Sequence, residues 1–151
     1  MKENFDHAQA HVDRADAFRT LGRIDDALES YRAALAREEK FPNYLTQAYL
    51  ELPLLIATQS IREKYGYALD LLGTNKARIM VPIEHFRWHT SIAFIAADCD
   101  NVAEAKTHAQ YALELASLTY SGFRYHPTFG LVSDKYDGLL PKLREILRGS
   151  T

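Results

Sequence analysis

At 151 residues, 47% hydrophobic and 25% charged, the chain is large enough to bury a core and suits a single domain. Its net charge of −2 supplies no general attraction to nucleic acid or anionic membrane, and its one cysteine, Cys99, excludes an internal disulfide framework and suits a reducing compartment. No stretch approaches the roughly 18 consecutive apolar residues of a membrane span, and residues 1–4 (MKEN) do not read as a secretory signal, so a cytoplasmic chain is expected.

Apolar positions Phe5, Ala8, Val12, Ala15 and Phe18 recur every three or four residues and predict a helix ending near Leu21-Gly22. Gly22 can take the left-handed conformation that closes a helix. A second helix is predicted from about Asp25 to Glu39, where Asp25, Asp26 and Glu29 suit the positive end of the helix dipole. Ala27, Leu28, Tyr31, Ala34 and Leu35 share one face, and Phe41-Pro42 breaks the run. Two helices joined by so short a turn must lie antiparallel, with small Ala27 and Ala34 allowing close approach and Tyr31 filling the space between them.

Residues 43–72 predict a second helical pair, with Leu52, Leu55 and Ile56 in its first helix and Ala68 and Leu72 in its second. Pro53 predicts a kink or a fresh start, because it removes a backbone donor. Gly73 ends this pair, 75–81 connects, and Pro82 is placed to open a strongly apolar helix over 83–97. After Asp98-Cys99-Asp100, Asn101 and Glu104 form a capping pair for a helix carrying Ala105, Ala109, Ala112, Leu113 and Leu115. The stretch 119–130 (TYSGFRYHPTFG) reads as ordered but non-helical. A last helix, capped by Ser133 or Asp137 or restarting at Pro141, gathers Leu139, Leu140, Leu143, Ile146 and Leu147 on one face.

The stretch 15–35 resembles the tetratricopeptide repeat (TPR), a helix-turn-helix unit of about 34 residues. The matching positions are His11, Arg14, Ala15 and Phe18 in the first helix, Gly22 at the turn, and Ala27, Tyr31 and Ala34 in the second. His89, Ile92, Ala93, Ala96, Ala105, Ala109 and Ala112 match a further unit, with Ala109 replacing the aromatic. The resemblance implies an all-α stack of three antiparallel helix pairs over about 5–39, 44–73 and 82–118, closed by a tail and a capping helix over 119–151. Ala27, Ala68 and Ala105 lie 41 and 37 residues apart, so the joints between units are stretched beyond the usual repeat.

The resemblance further implies a protein- or peptide-binding surface on the first helices. Gln9, Val12, Asp13, Asp16 and Arg19 would line it in the first unit, and Arg87, Thr90, Ser91, Phe94 and Asp98 in the third. Val12 and Asp16 stand where chaperone-tail clamps carry Lys and Asn, which argues against that ligand. Asp13 and Asp16 suit a basic one. In the tail, Arg124, Tyr125 and His126 follow Phe123 and combine a guanidinium fork, stacking surface and an imidazole, a set that suits either a ligand site or the pinning of the tail onto the last helix pair.

No catalytic set is legible. Cys99 lies between Asp98 and Asp100, which disfavours a thiolate, and no phosphate-cradling loop or nucleophile motif occurs. His7 with His11, and His85 with His89, are i, i+4 pairs at equivalent places in the first and third units. Such a pair ligates zinc if a third ligand such as His108 or Asp100 arrives, and otherwise replaces the bulky residue opening each first helix. The expectation is therefore a non-enzymatic interaction module with no cofactor, with a small-molecule or metal site as the alternative and self-pairing of an uncovered apolar face as a third.

Overall fold

The structure, a computed structural model, describes residues 7–118, 126 and 128–149. Every regular element among them is helical: α1 (Ala8–Thr20), α2 (Ile24–Lys40), α3 (Ala48–Thr58), α4 (Tyr65–Thr74), α5 (Pro82–Asp98), α6 (Val102–Ala116) and α7 (Leu140–Arg148). Short 3-10 turns at Arg62–Lys64, Lys76–Arg78 and Asp134–Leu139 complete the set. None of the helices is long and apolar enough to cross a membrane. The chain divides into two compact units, Met1–Leu55 and Ile56–Thr151.

In the first unit α1 and α2 form a tight hairpin. Gly22 closes α1 at φ +76°, and the N–H of Arg23 returns to the carbonyl of Phe18. Ala15, Ala27, Tyr31 and Ala34 are all fully buried, so the small residues do bring the backbones together around one large ring. Several polar groups in this hairpin are paired. Tyr31 Oη donates to Asp16 Oδ1 at 2.5 Å, and Arg19 Nη1 donates to Tyr31 Oη at 3.3 Å and to Glu51 Oε2 at 2.6 Å. Thr46 Oγ1 donates to buried Glu38 at 2.5 Å and accepts from the N–H of Ala48, which starts α3.

Pro53 causes no fresh start. It lies inside α3, which begins only at Ala48, so the irregular stretch falls before the helix rather than at the proline.

The second unit is built on the α5–α6 hairpin. Pro82 occupies the first turn of α5, and Glu84 Oε1 accepts from the N–H groups of Met80 and Val81. From Phe86 to Ala96 every residue of α5 is buried except His89, the polar Arg87, Thr90 and Ser91 included. Ala105, Ala109 and Ala112 form the packed face of α6, and Asn101 with Glu104 caps it as the sequence predicts.

Helix α7 packs on α6 and α5, burying Leu143 fully. It ends at Gly149 in the left-handed conformation, with φ +68°. Tyr136 sets its ring 5.7 Å from that of Phe86, and the Lys142 ammonium sits 4.4 Å from the centroid of Phe94. This is the predicted terminal helix, covering the apolar flank of the last hairpin. The approach to it is fixed at Gly130 (φ +73°), whose carbonyl accepts from the N–H of Ile83 at 2.7 Å. A Cβ there would come within 2.5 Å of Val81 Cβ, so only glycine satisfies both the dihedral and the space.

Candidate functional site

The expected groove residues do not gather on an open surface. Asp16 and Arg19 are bound into the Tyr31–Glu51 network just described, and Val12 is buried. Burial works against the charge of Arg19, but Glu51 overcomes it and raises the guanidinium's pKa. The Tyr31 hydroxyl is raised by burial and by its bond to Asp16. Asp13 is exposed and accepts from Gln9 Nε2 at 3.1 Å.

In the third predicted unit Thr90 and Ser91 are fully buried, Phe94 is 1% exposed and Arg87 7%. The chain itself covers the surface that the repeat register assigned to a ligand. Asp98 accepts from the hydroxyl of Tyr65, whose pKa burial and that bond push up to about 12. His126 is exposed, and its carbonyl accepts from Phe129 N–H; Arg124 and Tyr125 lie outside the described residues.

What the second unit does assemble is a cluster of rings on one side of the α5–α6 hairpin. His89, the one incompletely buried residue in the middle of α5, lies at its centre. Its ring is 5.0 Å from Tyr111, 5.1 Å from His108, 5.1 Å from Trp88 and 6.5 Å from His85, centroid to centroid. The rings of His85 and Tyr111 are tilted 21° and 30° from that of His89, so each stacks against it. Behind them Trp88 is pinned: its indole N–H donates to the carbonyl of Leu72 at 3.2 Å, and the Lys76 ammonium lies 5.1 Å from its ring centroid.

His89 Nδ1 and His108 Nδ1 are 2.8 Å apart. One must carry the proton and the other must accept it, so the pair cannot be doubly protonated without breaking this contact. Burial lowers the pKa of His89 to about 4, helped by the nearby cationic forms of His108 and His85 and by Lys76. Burial also lowers His108, against the pull of Glu104. At neutral pH the imidazole of His89, at the centre of the cluster, is therefore uncharged.

The cluster opens into a cavity of about 380 Å³ lined by His85, His89, Tyr111, Glu114, Leu115 and Leu118. Tyr111 is 50% exposed and Leu118 43%. Sequence reasoning singled out the histidines but missed the α6 contribution. The signal was present: Tyr111, Leu115 and Leu118 recur at helical spacing on a face that the alanine stripe does not use.

Zinc is poorly served here. His108 turns its other nitrogen toward Glu104, 4.0 Å away, and no group of three or more His, Cys, Asp or Glu among the described residues is arranged to hold a metal ion. No protein family, curated protein or solved structure matches the chain.

Proposed function

We propose that the protein is a TPR-like binding module, without catalytic activity and working in the cytoplasm, that holds a protein or peptide partner. The repeat reading is supported by the alanine register of the two hairpins, Ala27 with Ala34 and Ala105 with Ala112, all buried against their partner helices. The observation that carries the binding reading is the cavity beside His89, which is open, largely apolar and walled by partly exposed large side chains. This shifts the working surface from the residues predicted on the first-helix face to the side of the α5–α6 hairpin. The test is selection from a displayed random-peptide library. Peptides that bind wild type and lose roughly tenfold or more in affinity to Tyr111→Ala, the size of loss expected at an interface hot spot, uphold it. A library that yields no binder, or binders indifferent to Tyr111→Ala, overturns it.

A further inference from the structure

Resting on that reading, we infer that the cavity between α5 and α6 receives an aromatic side chain of a partner peptide, with a basic residue beside it. The first half comes from shape and surface. A space of about 380 Å³ lies near the lower end of the roughly 300–1,000 Å³ typical of ligand sites, the scale of a single large side chain rather than an extended ligand. Its walls offer the rings of His85 and Tyr111, each stacked against His89, together with the aliphatic side chains of Leu115 and Leu118. A planar ring entering there meets other rings in the offset or edge-on arrangements that aromatic pairs prefer, and removes the exposed faces of Tyr111 and Leu118 from water.

The second half comes from charge. Glu114 is the one carboxylate among the described lining residues, is exposed, and accepts from the neutral amide of Gln110 at 3.2 Å, a contact that brings it no positive charge. The imidazole of His89, held uncharged at neutral pH, does not oppose a cation at the rim. The Lys76 ammonium lies over Trp88 and is not among the residues lining the cavity. A Lys or Arg next to the aromatic anchor therefore finds an acceptor, whereas an Asp or Glu meets like charge. The site lies apart from the first-helix face that the repeat resemblance assigns to ligands.

The experiment uses the full chain and a displayed heptapeptide library lacking tryptophan. The protein's only tryptophan, Trp88, touches the His89 ring at 5.1 Å, so its fluorescence reports occupancy by the synthesised binders. The expected selection is an aromatic residue flanked by Lys or Arg. Replacing the aromatic by Ala should cost roughly tenfold or more, and replacing the base by Glu about twofold to fivefold, the scale of an exposed ion pair. Glu114→Gln, an isosteric change at an exposed position, should erase the preference for base over acid while keeping the aromatic requirement. Binders that depend on Tyr111 but show no aromatic–basic pattern overturn this inference and leave the binding-module reading standing. Absence of any Tyr111-dependent binder overturns both.

Discussion

The two hairpins α1–α2 and α5–α6 share a register but spend their polar and aromatic groups differently. In the first, the second-helix aromatic position holds Tyr31, which is fully buried and whose hydroxyl ties Asp16 and Arg19 together. In the second, the matching position is Ala109, also fully buried, and the rings come instead from His89, His108 and Tyr111 at the hairpin's side. One hairpin consumes its chemistry internally. The other keeps a ring surface in contact with solvent. The alanine register thus makes a hairpin in either case, and the residue in the aromatic slot decides whether the side chains around it become a lock or a site.

The comparison breaks most severely at Tyr31. Tyr31→Ala should destabilise the first unit by roughly 3–5 kcal/mol, as for other large aromatic truncations in a core, and Tyr31→Phe by about 1–3 kcal/mol, because Asp16 and Arg19 lose a partner. Urea unfolding followed by helicity checks both; equal stability of wild type and Tyr31→Ala would show that the hairpin is held by something else. Ala109→Tyr should cost about 1–3 kcal/mol by overpacking, showing that the second hairpin has closed over the vacant slot.

At the edge of the second unit, Gly130→Ala should cost on the order of 1–2 kcal/mol from the left-handed backbone alone, with the clash against Val81 adding to it. Thermal unfolding measures the sum, and an unchanged midpoint would contradict the contact between Gly130 and Val81.

The smallest expected effect is the dependence on acid. His89 in the folded chain has its pKa depressed to about 4, below the unfolded value of about 6.5. The unfolded state takes up the proton first, so stability is intact above pH 6.5 and declines as pH falls through about 4. His108, also lowered, adds in the same direction. Because both rings are partly solvent-accessible, screening reduces the effect. His89→Gln should flatten the decline between those limits in urea titrations, and an identical slope in both proteins would refute the assignment.

Most of the helical frame was legible because its punctuation is local. Gly22, Pro82, the Asn101–Glu104 cap and the restart near Pro141 each act within a turn of where they stand. The fresh start expected at Pro53 fails because a proline marks a lost donor, not a helix boundary, and the helix begins at Ala48, ahead of it. The expected ligand face failed for a different reason. Register says which side chains point one way but not what covers them, and Arg87, Thr90 and Ser91 are buried together with the apolar residues of α5. His85, His89 and His108 were recognisable as a group; Tyr111 and Leu118 acquired meaning only once α6 was laid beside α5.

Cys99 follows α5 and precedes α6, at the end of the hairpin away from His85 and Leu118, and it is exposed. Ten residues of helix separate it from His89, about 15 Å at about 1.5 Å per residue. As the chain's sole thiol, it offers a unique point of covalent attachment: a maleimide linkage there tethers every molecule to a sensor surface by the same turn, with the ring-lined mouth left facing the flow.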